Sequence, residues 1–559
     1  MKRAIFLLLL TLCTSISADS SVEKNDPVVV QELEPAQAQQ ESESIEASST
    51  AAVSPVVNSE AEKEDGGFIS KATASMDKII GKITSVLFSV IMFDIAFGLL
   101  GTSVPLVVVT LMVGAIFFTF RYNFITFKLF AHGIQVVRGK FDKEGEAGEV
   151  NHFKALTSAL SATVGLGNIA GVAIAVHQGG PGAVFWMILA AFFGMASKFS
   201  SCTLAQKYRV INNDGSFSGG PMYYLEMGLK EKGLAKLGTV FAVAYALMII
   251  GGAMGGGNMF QGNQAWGALQ QDFLGGSQDP KAAWIFGITL ASLVGLVIIG
   301  GIKRIGKATE FIVPFMCGLY VIVSLYIIGM NASQIIPSLK SIVTMAFSQN
   351  AAFGGFIGVL IMGVRRAAFS NEAGVGSAAV VHAAAKNEEP VMEGVVAMLG
   401  PFIDTVIICL MTALVIIITD VSAQYPAEFS KGAIMTAKAW SSAGTYMPKV
   451  LTVCIVLFAF STMISWCYYG ERGWIYLVDK FFGKGKGISS LIIYRALFVF
   501  CVFLGVVVNA GAVLDFSDAM ILGMAFPNII GMIILSGRVK GWAKDYMNKL
   551  KSGEIAPTK

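Results

Sequence analysis

Charge is scarce in this sequence. Of its 559 residues only 14% are Asp, Glu, Lys or Arg, while 54% are hydrophobic. An ordinary water-soluble domain is about a quarter charged, so that class is excluded. Histidine is also rare: His132, His152, His177 and His382 are the only four, and their scatter has no metal-ligand spacing. They read as solvated or interfacial side chains. The seven cysteines include no C-x-x-C pair; Cys202, Cys317, Cys409, Cys454, Cys467 and Cys501 each stand alone in apolar sequence, as buried small side chains do, so no disulfide framework or metal site is expected. Enzyme-like signatures fail as well. "GIKRIGKA" (301–308) approaches a phosphate loop but has Ala308 where Ser or Thr is needed, and "GLGNIA" (165–170) lacks the strand and acidic partner of a dinucleotide fingerprint. A formal charge of +4 gives no reason to expect a nucleic-acid partner. The chain is not read as an enzyme.

What is present begins with Lys2 and Arg3 before the apolar run "AIFLLLLTLC" and the small residues Ser15, Ser17 and Ala18. This is the pattern of a secretory signal over 1–18, with cleavage after 17 or 18; an uncleaved anchor is the alternative. Residues 19–67 contain no aromatic side chain and an excess of acid, so they cannot bury enough apolar surface to order and are expected to form a disordered acidic extracytoplasmic tail, its protein partner unknown. A transmembrane domain over 68–540 and a cytoplasmic tail over 541–559 complete the expected organisation.

Windows of about 20 apolar residues, each long enough to cross a bilayer, recur eleven times: 102–120, 153–176, 182–206, 237–256, 282–300, 309–330, 353–376, 395–419, 450–470, 488–511 and 515–536. The expected fold class is therefore an all-α polytopic membrane protein with the lipid bilayer as its solvent. "MDKIIGKITSVLFSVIMFDIAF" (76–97) intersperses polar residues and reads as interfacial, or as a twelfth span. Basic residues gather after the odd-numbered spans, including Arg121, Lys207, Arg209, Lys303, Arg304, Arg472 and Arg538. By the positive-inside rule the N-terminal tail then lies outside and the C-terminus in the cytoplasm, in a cell membrane such as a bacterial inner membrane.

The second span carries "SATVGLGNIAGVAIA" (161–175), and the seventh echoes it in "SNEAGVGSAAVVHAA" (370–384), aligning Gly165-Leu166-Gly167 with Gly374-Val375-Gly376. The two spans are five apart and so face the membrane in opposite senses. That is the signature of a five-plus-five inverted repeat with broken helices near the midplane. Small-residue helix packing is the alternative, but the accompanying Asn168, Ser370, Asn371 and Glu372 favour a break.

Together with "GGPGAVFWM", "FFGMASKF", "SGGPMYYLE", "GGIKRIGKATEFIVPFM", "HAAAK", "AMLGPFIDT" and "CLMTALV", these segments resemble the alanine or glycine:cation symporter family, also called sodium:alanine symporters, over residues 72–540. Two departures are Ile188, where the family commonly has Trp, and the signal with its acidic tail. The resemblance implies a leucine-transporter-like fold and symport of alanine, glycine or another small neutral amino acid with a sodium ion as coupling ion. The alternatives are a proton-coupled or uncoupled carrier and a transporter-fold sensor. Amides near Gly165, Gly167 and Asn168 are suited to a substrate carboxylate, and Thr163, Ser461 and Thr462 offer hydroxyl oxygens to sodium. The resemblance also makes Thr462 and Trp466, four apart on one helix face, substrate-pocket residues, with the tryptophan restricting side-chain size; an interfacial Trp is the alternative reading. Asn258 and Gln261, at the expected outer end of the fourth span, face substrate or gate, or else cap an exposed helix end. Asn371, Glu372 and Asp404 are gate or coupling candidates, because charge at membrane depth is costly; Asp404 alternatively holds a neighbouring helix. Arg365 and Arg366 either pair with Glu372 in a gate or mark topology.

Overall fold

A computed structural model describes residues 85, 88–99, 103–143, 145–277, 279–348, 355–424, 432–507 and 510–558. The chain divides into Met1–Ala72 and Thr73–Lys559, and every described residue belongs to the second unit. The signal expected over 1–18 and the acidic tail over 19–67 lie outside the described residues.

The described chain is helical, apart from a two-residue antiparallel pair in which Val210 faces Ser218 and Ile211 faces Phe217. Its principal helices are α1 (Leu106–Arg121), α2 (His152–Thr163), α3 (Val172–Gly179), α4 (Gly182–Lys207), α5 (Ala235–Phe273), α6 (Pro280–Ile298), α7 (Gly301–Met330), α8 (Gly355–Asn371), α9 (Ala378–His382), α10 (Pro390–Ile418), α11 (Met447–Phe482), α12 (Leu491–Val507) and α13 (Asp515–Ser552). Among the described residues, each of the eleven apolar windows overlaps one of these helices or a broken pair. Seven of them (α4, α5, α6, α7, α10, α11 and α13) are long and apolar enough to cross a bilayer, and α2 with the following segment to Gly179 makes an eighth, bent by 54°. Over 88–99 the expected interfacial segment is a helical turn followed by a loop in which the Asp94 carboxylate accepts the amides of Ala96, Gly98 and Val104. Its apolar Phe97 and Leu99 are exposed.

Three helices outrun their apolar windows. The fourth span ends in sequence at 256 but in space at Phe273, the ninth at 470 but in space at Phe482, and the eleventh at 536 but in space at Ser552. Polar residues end a hydropathy window without ending a helix, provided that protein rather than lipid surrounds them. Arg472 is an instance: it is buried, 4.6 Å from the Tyr468 ring and 3.1 Å from Ser218 Oγ.

Both expected breaks are present. The first separates α2 from a single π turn, Gly167–Gly171, that leads into α3. The second runs from Glu372 to Ser377, with Gly374 at φ +89° and Gly376 at +91°, a left-handed backbone that glycine adopts without penalty. Glu372 holds φ +54° despite its side chain, a conformation that costs of order 1 kcal/mol and clusters at functional sites.

Candidate functional site

The two breaks meet at Asp404. In the first, the Gly165 amide donates to Asn168 Oδ1 at 2.9 Å and the Asn168 amide to the Gly165 carbonyl at 3.1 Å, which closes a tight loop. These two amides are thus committed to the loop, not turned toward a substrate carboxylate as the sequence suggests. Asn168 Nδ2 reaches Asp404 Oδ1 at 2.7 Å; Ser370 Oγ donates to Asp404 Oδ2 at 2.6 Å, as does Thr405 Oγ1 at 2.9 Å. Asn371 Nδ2 then donates to Thr405 Oγ1 at 2.9 Å. All five side chains are buried, and a buried carboxylate with three donors is the arrangement that makes such burial tolerable. These bonds tie neighbouring helices together at Asp404.

Three π-helical segments occur among the described residues: Gly167–Gly171, Gly255–Met259 within α5, and Phe402–Cys409 within α10 just after Pro401. They carry buried polar residues: Asn168 in the first, Asn258 in the second, and Asp404 with Thr405 in the third. A π turn shifts a side chain out of the regular helical register, which is why such turns recur at functional sites. In sequence they are foreshadowed by "GLGNIAG", "GGGNM" and "GPFID".

A second cluster lies where α2, α5 and α11 meet. A Cβ on Gly165 would stand 2.8 Å from Thr462 Oγ1, so glycine lets Thr462 approach the break this closely, while Gln261 Oε1, at 3.6 Å, would remain in ordinary contact. Thr462 Oγ1 donates to the Ser161 carbonyl at 3.0 Å, and Ser161 Oγ to the Ser461 carbonyl at 2.6 Å. Trp466 is 2% exposed, and its Nε1 points to the Ala162 carbonyl at 3.3 Å. A Cβ on Gly257 would lie 2.3 Å from Trp466 Cβ. The tryptophan is therefore an inner wall between α5 and α2, and the aromatic-belt reading does not apply.

The end-capping alternative for Asn258 and Gln261 does not apply either. Because α5 continues to Phe273, they lie inside the helix and are buried, so neither caps an exposed end. Asn258 Nδ2 donates to the Phe498 carbonyl at 2.8 Å and Gln261 Nε2 to the Gly256 carbonyl at 2.9 Å. Their Oδ1 and Oε1 atoms are buried acceptors without a protein partner. A buried acceptor left unpaired costs about 1–3 kcal/mol, a cost that an arriving donor removes.

The hydroxyls expected to face sodium are all buried. Thr163 Oγ1 donates to the Ala159 carbonyl at 3.2 Å and Ser461 Oγ to the Phe458 carbonyl at 3.0 Å. A hydroxyl whose proton is spent on a carbonyl still presents oxygen lone pairs. Of the three hydroxyls only that of Thr462 joins the Ser161 turn; Ser461 reaches it through its carbonyl, and the Ser461 and Thr163 hydroxyls are bonded within their own helices.

Glu372 accepts the Ser377 hydroxyl. Arg365 does not pair with it as a gate: its guanidinium lies 2.8 Å from Asp518 Oδ2 on α13, and Arg366 is buried nearby on α8. The residue that sequence reasoning missed is Lys198, buried in the middle of α4, whose ammonium donates to the Asn371 carbonyl at 3.0 Å, at the end of α8. Its signal was legible, since "MASKFSS" places one charge inside an apolar span. The histidine expectation is also corrected: His152 and His382 are buried and both bond Glu393.

Residues 89–559 match the sodium:alanine symporter family. The chain is 41% identical over 451 residues to the sodium/alanine symporter AgcS of Methanococcus maripaludis, covering 80% of this chain and 96% of that one. It is 35% identical to the probable sodium/glutamine symporter GlnT of Bacillus subtilis, covering 80% of this chain and 89% of that one. To the putative sodium/proton-dependent alanine carrier protein YrbD of the same organism it is 36% identical, with 75% and 85% covered.

Proposed function

Because this chain belongs to the sodium:alanine symporter family, we propose that it imports alanine, glycine or another small neutral amino acid together with sodium by alternating access. The observation that carries this reading is the unpaired Gln261 Oε1 beside the Gly165 break, with Thr462 adjoining it and Trp466 close by on the same helix. An acceptor of that kind suits a substrate ammonium. The Trp466 wall suits a side chain no larger than methyl, which argues against glutamine. Sodium is assigned to oxygens near the Ser161 turn, with Ser461, Thr462 and Thr163 as candidates; Asn371, Glu372 and Asp404 are assigned to gating or coupling. The distribution of basic residues supports an outside N-terminal tail and a cytoplasmic C-terminus in the cell membrane.

Labelled alanine uptake into proteoliposomes tests the proposal under equal inward gradients of sodium, potassium or protons. Accumulation above equilibrium with sodium alone is expected. Accumulation on a proton gradient alone would transfer the coupling role to the proton, and equilibration without accumulation would refute coupled transport in favour of a facilitator. In the same assay Thr462→Val, which keeps the volume and removes the hydroxyl bonded to Ser161, is expected to raise the KM for alanine about tenfold, the effect of one lost buried hydrogen bond. An unchanged KM would remove Thr462 from the pocket.

A further inference from the structure

Two of the four histidines converge on one carboxylate. His152 opens α2 and His382 closes α9, the helices beside the two breaks, while Glu393 stands in the first turn of α10. The Nδ1 atoms of the two rings bond opposite oxygens of Glu393, that of His382 at 2.5 Å. Side-chain exposures of His152, Glu393 and His382 are 2%, 0% and 0%, and both ring Nε2 atoms are buried without a partner. The surrounding backbone straps the same two ends together. Glu149 N donates to the Ala384 carbonyl at 2.8 Å and Lys386 N to the Val150 carbonyl at 2.7 Å; Gln206 Nε2 holds the His382 carbonyl at 2.7 Å.

Each Nδ1 faces a carboxylate and therefore carries a hydrogen. With both rings neutral, the cluster holds one net negative charge out of reach of water, and both Nε2 atoms are bare acceptors. One proton added at His152 Nε2 makes the cluster neutral and turns its hydrogen bond to Glu393 into an ion pair. A buried charge without a counter-charge costs several kcal/mol, so the closed arrangement holds that proton more tightly than an open one that water enters. The other ionisable groups that face it are Asp142 and Glu146 from the connection before α2, Cys202 on α4, and Arg209 just beyond α4. The two carboxylates reinforce proton retention. Arg209 opposes it, but is engaged by the carbonyls of Ala383, Ala385, Ala147 and Asn387.

We infer that His152, Glu393 and His382 form a proton-binding latch between the two broken spans, closed while it holds one proton and released when that proton leaves to water. Lower pH on the side of this latch holds that end of the transporter shut. What the latch controls rests on the alternating-access reading, but its existence is testable without transport. In the full chain in nanodiscs, the hydrogen-exchange protection of the amides of residues 152–163, corrected for intrinsic rates, is expected to fall as pH rises from 6 to 8. One linked proton permits up to about tenfold per pH unit. Glu393→Gln and His152→Gln are each expected to flatten this slope. A purely structural role would lower protection equally at every pH and leave the slope intact. If Glu393→Gln does not fold, His152→Gln, which keeps a donor for Glu393 but does not titrate, carries the comparison. Protection independent of pH in the unmodified chain, or a slope that survives either substitution, would overturn the latch. Because no uptake is measured, failure here is distinct from failure of the symport proposal.

Discussion

Asp404→Ala is expected to lower initial alanine uptake by about 100-fold or more at equal incorporation into proteoliposomes. The substitution strands the donors of Asn168, Ser370 and Thr405, and each buried unpaired donor costs about 1–3 kcal/mol. Asn168 Nδ2 keeps the Asp404 carbonyl at 3.2 Å as a second acceptor. A total near 3 kcal/mol is therefore the better expectation, equivalent to about 100-fold in the population of the assembled site. Asp404→Asn retains the volume and one acceptor, so a loss of about tenfold is expected. The sodium concentration for half-maximal uptake separates two roles for the charge. A shift in Asp404→Asn places the carboxylate in the coupling step, whereas reduced thermal stability with unchanged sodium dependence leaves it as a strut between the breaks. Near-normal uptake in Asp404→Ala would mean that the two breaks are held together by other contacts.

The second large effect concerns what is carried. Trp466→Ala removes a buried wall, and truncating a core tryptophan costs about 3–5 kcal/mol of stability. Trp466→Phe, which keeps an aromatic side chain against Gly257, is the milder comparison. Both are expected to weaken competition by alanine and glycine in uptake assays while admitting larger neutral amino acids, glutamine among them, with the wider range in the alanine variant. Each methylene in an apolar pocket discriminates by about 1–3 kcal/mol, so the ratio of alanine to glutamine transport should fall at least tenfold. An unchanged substrate profile in both variants would move the size filter away from Trp466.

Much of the architecture was determined by sequence alone. A span is declared by about 20 neighbouring apolar residues, and a break by glycines packed with polar residues, so both are local properties of the chain. The glycine pairs Gly165/Gly167 and Gly374/Gly376 marked both interruptions, and the motifs around them marked the family. The tertiary structure alone decided which groups meet. Asn168 finds Asp404 at a sequence separation of 236 residues and His152 finds Glu393 at 241, distances at which no periodicity carries information. The same limit put Asn258 and Gln261 at the end of a span when they lie inside its helix. A hydropathy window ends at a polar residue whether water or another helix surrounds it, and that environment is set only when the helices pack.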